Sequence, residues 1–514
     1  MTINRVTKRI KRQKRQRIVF NIICICLCIS ILVTLISRKY LLSANADQKS
    51  LCNKDLLLIP PYATKKPRAT ILDRAGAVLA ISQKRALVYA IPSQISNLLD
   101  TTKKISDVLG ISKEKLLNLL NSSTSLCILK DNLKLSIAKD IAKLNLSGIG
   151  ISYYYIRVYP YKKLLNNIVG RLGPSGQGVS GIEYSYNTLL NKGLKTLTLS
   201  LDINLESASQ KILKWQMAKL RAKTGCFLLM NIRDGSLIAL SSYKREKWFF
   251  KPNRLALKAE ISPIIMWPIL EAVLKNNGDT QEQIIYKNKS WHVLDTSSEE
   301  MAFWGPINPS LSDNYNCKNI ISILVSLGFG QKTGIDLPEE EAGYIMPMSN
   351  CSLTPLIFKN TKVTAIQLLV AFSKILLNHG HLIPHLVIDK KLCFKNNNIL
   401  FSKDKIESLI KTISEGRGIS LASITFKKNN YSKFASTKYP AQVVALGFYP
   451  TKAPQVVYVL VLNDVKRDPR CVKGVLAQSY LVAQRASQVI LAQKFIRRRF
   501  GSFWASINID EDHS

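Results

Sequence analysis

Ser262, in the run Ile261-Ser262-Pro263-Ile264-Ile265-Met266-Trp267-Pro268, carries a hydroxyl that could attack a carbonyl if a base one helical turn away took its proton. The residue three positions on is Ile265, so nothing at that spacing activates it. Ser312-Asp313-Asn314 groups a hydroxyl, a carboxylate and an amide, and reads equally well as an Asx turn in a loop. Lys332-Thr333-Gly334, Lys427-Lys428-Asn429 and Lys433-Phe434-Ala435 add candidate lysines. Further towards the N-terminus, Asp73, Arg74, Arg157 and Glu183 are charges able to tie distant elements together, among glycines (Gly76, Gly178, Gly181) that permit positive φ and close backbone approach. Taken alone, such residues also fit surface turns.

Cysteine gives no metal chemistry. Of the 10 cysteines, Cys24, Cys26 and Cys28 sit in an apolar run, and the other seven are scattered without C-x-x-C spacing. Isolated buried thiols are the simplest reading, and neither a metal nor a cofactor is expected.

Residues 51 to 195 mix short β-rich runs (Ala69 to Ser82, Ile149 to Tyr161) with a helical stretch over Lys103 to Leu120. After Thr196 comes a strand, a helix from Asn204 to Leu220, and a hairpin of Gly225 to Ile232 and Ser236 to Ser241 turned at Arg233-Asp234-Gly235. Helices are expected at Trp267 to Lys275, Lys318 to Leu327 and Val363 to Asn378. Strands at Gln442 to Phe448 and Gln455 to Leu462 precede a closing helix from Val475 to Lys494. This order predicts an α+β fold whose main sheet is built from both ends of the second half.

A chain of 514 residues with 46 % hydrophobic composition holds more than one folded unit and is no disordered tail. The first 17 residues carry 8 Lys or Arg and no acid. Ile18 to Ser37 then runs uncharged for about twenty residues, long enough to span a bilayer. The cationic side stays in the cytoplasm, which places Arg38 onward outside it. Cleavage as a signal peptide is the competing reading, disfavoured by the length of the apolar run and the weak small-residue site near Ser43 to Ala46. The net charge of +39 is spread, apart from the N-terminus and Lys494 to Arg499. An exported basic domain meets anionic lipid or wall polymers more naturally than nucleic acid, which is not an expected partner.

Arg68 to Ser82 (RATILDRAGAVLAIS) resembles the R-G-x-I-x-D-R-x-G-x-x-L-A-x-S signature of class B penicillin-binding proteins, with Ala69 in place of the first Gly. Arg157 to Pro160, then Gly176 to Glu183, is similar to the same family's R-x-Y-P and G-x-G-x-x-G-x-E. Leu199 to Glu206 resembles L-T-x-D-x-x-L-Q, with Ser200 for Thr and Glu206 for Gln. Leu327 to Pro347, Lys362 to Gly380 and Val444 to Pro450 are similar to three further family stretches in the family's order. The resemblance spans about residues 60 to 490 and leans to the septal, FtsI-type branch of peptidoglycan D,D-transpeptidases. No glycosyltransferase-sized region accompanies it.

The resemblance implies a division into a basic tail (1–17), a transmembrane helix (18–37), a pedestal or dimerisation-like domain (38–195), a transpeptidase-like domain related to β-lactamases (196–494) and a C-terminal tail (495–514). It also implies where chemistry should sit. The family needs S-x-x-K at a helix start, S-x-N, and K-T-G on a strand. Asn253-Arg254 matches the N-R that precedes S-x-x-K, which puts Ile264 at the nucleophile position and Trp267 at the lysine position, with Pro268 matching the following Pro. Ile and Trp can neither attack a carbonyl nor accept its proton. Ser262, Ser312, Asn314 and Lys433 are the possible remnants. Lys332-Thr333-Gly334 falls in the wrong block, since the active-site strand is expected between Glu415 and Ala445, where Thr and Gly are both missing from the lysine candidates.

Three functions follow. The first is a catalytically degenerate, membrane-anchored family member that binds divisome and other wall-synthesis membrane proteins. The second is a working D,D-transpeptidase using shifted residues through an acyl-serine. The third is an exported basic module holding peptidoglycan or other anionic polymers.

Overall fold

The computed structural model describes residues 60, 63–122, 126–246, 249–266, 302–304, 317–347, 357, 360–377, 382–388, 420–428, 436–450, 453–466, 479 and 481–489. In chain order, strands β1 (Ala63–Thr64), β2 (Thr70–Leu72) and β3 (Val78–Ala90) precede helices α1 (Leu98–Leu109) and α2 (Lys113–Ser122). Then come β4 (Cys127–Leu133), α3 (Leu135–Lys143), β5 (Ile149–Val158), α4 (Lys162–Leu165), β6 (Arg171–Leu172), β7 (Gly178–Ser180), α5 (Gly181–Ser185), α6 (Asn187–Asn191) and β8 (Thr196–Thr198). The remainder comprises α7 (Ile203–Lys219), β9 (Thr224–Asn231), β10 (Leu237–Glu246), β11 (Phe249–Pro252), β12 (Ala302–Trp304), α8 (Cys317–Ser326), α9 (Ala365–Leu377), β13 (Ser420–Lys428), β14 (Ser436–Tyr449) and β15 (Val456–Asn463).

The chain divides into two compact units, Lys84–Tyr155 with the segment before Lys66, and Lys66–Gln83 with Ile156 onward. The first is a sheet under helices: β3 pairs antiparallel with β4, Ala86 facing Leu133 and Tyr89 facing Ile128. Alternate residues Ala86, Val88 and Ala90 pack against Ile105, Leu109, Leu116 and Leu120 of α1 and α2. The sequence reads one helical stretch across Lys103 to Leu120, whereas the structure has two helices. The cause is Gly110, which caps α1 in a left-handed conformation with φ 63° and donates its N–H to Ser106.

In the second unit, β2 pairs antiparallel with β3 and parallel with β8. Its main sheet has the order β11-β10-β9-β15-β14-β13-β12, and β9 lies against β15 in register from Thr224↔Asn463 to Asn231↔Val456. Strands from both ends of the second half therefore meet at the centre, as their order predicts. Period-two alternation, with a core on each face, explains why β9 and β15 are apolar along most of their length. Cys226, Leu228, Met230, Val457, Val459 and Val461 face the core around α9, while Phe227, Leu229, Tyr458 and Leu460 face Leu205, Leu213 and Met217 of α7 with Val482, Ala483 and Ala486 of residues 481–489.

Helix α9 begins with a capping box. Gln367 donates its N–H to Thr364 Oγ1 at 3.1 Å and its Oε1 accepts from Thr364 N–H at 2.9 Å. The helix is buried from Ala365 to Leu376 and supplies the floor beneath the sheet. Among the described residues no helix is long and apolar enough to cross a membrane; Ile18 to Ser37 lies outside them.

Candidate functional site

Arg68, Arg157 and Glu183 converge in the second unit although the sequence separates them widely. Arg68 Nη2 and Nε donate to Glu183 Oε2 at 2.7 and 3.1 Å, and Arg157 Nε donates to Oε1 at 2.7 Å. The side chains are 1 %, 3 % and 0 % exposed, so both ion pairs lie in a medium of low dielectric. Arg68 Nη1 also donates to Asn187 and Asn191 Oδ1 at 3.0 and 2.8 Å, which carries the cluster onto α6. Tyr159 OH donates to Glu183 Oε1, and burial followed by the Glu183 charge pushes that phenol well above its usual range.

The glycines beside this cluster are there for space. A Cβ on Gly178 would lie 1.8 Å from Glu183 O, and one on Gly181, at φ +59°, would lie 2.3 Å from Ile168 O. Asp73 organises the other block: its Oδ1 accepts from Ala75 and Ala77 N–H at 2.8 and 2.7 Å and its Oδ2 from Ile203 N–H at 3.2 Å. That last bond ties the turn holding Gly76 to the start of α7. Arg74 joins the same seam through its backbone N–H to Leu201 O at 2.9 Å. The charged and glycine residues singled out from sequence are thus architectural in their contacts.

The segment that should carry chemistry starts at Asn253, whose N–H donates to Ser242 O at 3.0 Å and whose carbonyl accepts from Asn167 Nδ2 at 2.7 Å. Arg254 pairs with Glu339. Leu255–Leu257 form a buried 3₁₀ turn, and Ile261 makes an isolated antiparallel bridge with Val363. Ser262, half-buried, donates its N–H to Gln442 Oε1 at 3.4 Å, and Gln442 Nε2 donates to Glu260 O and Asn463 Oδ1 at 3.3 and 2.8 Å. The 3₁₀ turn Pro263–Met266 follows, packed on β13 and β14, with Ile265 and Met266 fully buried. Ile264 is therefore within a turn set against the last two long strands before β15. Trp267 and Pro268 lie outside the described residues.

Lys427 and Lys428 end β13, with Lys428 opposite Ser436 on β14. Lys433, Ser312 and Asn314 lie outside the described residues. Lys332-Thr333-Gly334 is in no described strand: Glu340 Oε1 accepts from Thr333 N–H and Oγ1 at 2.7 and 2.6 Å, and Oε2 accepts from Gly334 N–H at 3.2 Å. That lysine precedes a turn stapled from within.

Two further buried acids, Asp336 and Glu206, each accept from several donors. Asp336 accepts from the N–H groups of Leu386 and Val387 and from Tyr186 OH, at 2.8 to 3.1 Å. Glu206 Oε2 accepts from Leu240 N–H at 2.7 Å, and its Oε1 accepts from Ser241 Oγ and Gln210 Nε2 at 2.8 and 3.1 Å. Burial outweighs these donors and raises the Glu206 carboxyl above its usual range. Its signal in the sequence is the exchange of the family's Gln for Glu. Among the described residues no group of His, Cys, Asp and Glu could hold a metal.

Comparisons with known proteins agree with these blocks. Residues 63–197 match the Penicillin-binding Protein dimerisation domain, a stretch that holds Arg68, Arg157 and Glu183. Fold and matched domain together support a likeness to class B penicillin-binding proteins. Stage V sporulation protein D of Bacillus subtilis (strain 168) is similar at 25 % identity over 481 residues, covering 77 % of this chain and 74 % of that protein. A peptidoglycan D,D-transpeptidase FtsI homolog of Chlorokybus atmophyticus is 31 % identical over 212 residues, 35 % of this chain and 31 % of the relative. The solved complex between penicillin-binding protein PBP2 and MreC from Helicobacter pylori matches with a TM-score of 0.54 at 16 % identity, over 83 % of this chain and 98 % of that one.

Proposed function

We propose that this chain is a membrane-anchored component of peptidoglycan synthesis and cell division that acts by binding other wall-synthesis proteins and performs no transpeptidation. One observation carries the reading. Counted on from Asn253-Arg254, the residue that the resemblance puts at the family's serine position is Ile264, a side chain with no nucleophilic atom. The pedestal cluster around Glu183 is intact over the same chain, which supports retention of an architecture without its chemistry.

In this reading residues 1–17 are a cytoplasmic tail, 18–37 a single inner-membrane span, 38–195 a pedestal, 196–494 a transpeptidase-like domain outside the membrane and 495–514 a tail. The septal, FtsI-type branch is favoured by the sequence blocks, and the solved complex of a penicillin-binding protein with MreC supports partners among wall-synthesis proteins. The test is incubation of the purified membrane protein with labelled penicillin. No covalent label is expected. A label that disappears in Ser262→Ala would instead establish a working acyl-serine enzyme. Tight, salt-sensitive binding to anionic wall polymer, with no protein partner recovered, would favour the basic polyanion-binding reading.

A further inference from the structure

Over Leu421–Ser423 the edge of β13 that does not face β14 is occupied by the chain itself. Strand β12 pairs with it in parallel, Ala302 with Leu421, Phe303 with Ala422 and Trp304 with Ser423, and β12 ends the sheet. β13 lies in the interval where the resemblance places the active-site strand, and the turn holding Ile264 packs on that strand and on β14. An extended peptide laid beside β13 needs the outward N–H and C=O groups of that edge, because main-chain hydrogen bonds supply the affinity when a strand is added to a sheet.

We propose that β12 is a built-in plug, the chain's own strand taking the place on β13 that an extended peptide ligand would take. This inference rests on the proposed loss of chemistry at Ile264 and deepens it, because a strand paired along Leu421–Ser423 keeps an extended peptide off that stretch of the edge. Competition favours the plug. A tethered strand acts at an effective concentration on the order of millimolar, so a free peptide of modest affinity does not displace it. Over those three residues the pairing also spares the sheet unpaired edge groups open to other chains.

Hydrogen exchange on the full chain, read by mass spectrometry over residues 420–424, tests this. Successive N–H groups of a strand point to opposite edges, so Ala302→Pro and Phe303→Pro together remove whichever donor faces β13. One of them should raise exchange in 420–424 at least about tenfold while β9 and β15 stay protected. That variant should also bind an acyl-D-alanyl-D-alanine peptide at least about tenfold more tightly than the wild type. Unchanged exchange in both variants, or no gain in peptide binding, would overturn the plug. Should both variants unfold, Phe303→Cys with Ala422→Cys should form a disulfide, since facing Cα atoms lie in bonding range, and failure to do so would also overturn it. Labelled penicillin separates the two proposals: acylation of the opened variant alone would leave the plug standing and refute the missing nucleophile, whereas acylation of the wild type would refute both.

Discussion

Glu183 holds Arg68 at 2.7 Å through one carboxylate oxygen and Arg157 at 2.7 Å through the other, so one acid pairs with two guanidinium groups brought from β2's approach and from β5. All three are almost wholly shielded from solvent. Removing the acid leaves two buried cations facing each other.

Glu183→Ala is therefore expected to destabilise the second unit by about 3–5 kcal/mol, the range for breaking a buried ion pair from one side. Urea unfolding followed by tryptophan fluorescence would show it, and moderate salt should not rescue the variant. A shift below about 1 kcal/mol would mean that the cluster is wetter than its geometry indicates.

Gly178→Ala and Gly181→Ala should each cost on the order of 1–3 kcal/mol, because the new Cβ meets backbone oxygen and the chain must move. Gly193→Ala is a fair control: like Gly181 (φ +59°) it has a positive φ, +88°, but nothing lies within 4 Å of its added carbon. The difference between the two variants reads the steric part alone.

Glu206→Gln restores the residue the family resemblance expects and should stabilise the chain at neutral pH. The carboxyl is raised by burial, so as pH climbs through about 4.5 the unfolded chain ionises while the folded one does not. Stability is fully present below that value and is lost as pH rises through the folded pKa. Wild-type unfolding midpoints should fall across this window, and those of Glu206→Gln should fall less. A wild type whose midpoint rises there relative to the variant would contradict the assignment.

Deleting residues 1–37 is expected to release the chain from membranes into the soluble fraction on cell fractionation, because that segment holds the apolar run and its basic flank. Retention of the truncated chain on anionic vesicles, reversed by salt, would point to its positive surface as a second anchor.

Much of this architecture is legible in the residues. The hairpin at Gly235, the α7 register starting after Asp202, and the alternation in β9 and β15 follow from local pattern, and Asp202 caps α7 by accepting from Asn204 and Leu205 N–H at 3.0 Å each. The convergence of Arg68, Arg157 and Glu183 is foreshadowed by charge type but not by pairing, since residue spacing says nothing about which acid meets which base. The break at Gly110 is hidden because apolar periodicity resumes at Leu116, and only the left-handed cap separates the two helices. Asp336 falls in the family-like stretch Leu327 to Pro347, but its role is hidden, since its backbone partners lie 50 residues away. The β12 pairing is equally silent in sequence, being three residues long and matched to β13 across more than a hundred positions.

The central claim, that family architecture persists here without an acyl-accepting serine, is tested most directly by the intact mass of the purified full chain after incubation with penicillin. The account predicts an unchanged mass at saturating penicillin. A mass increased by one penicilloyl group, abolished by Ser262→Ala, would contradict it.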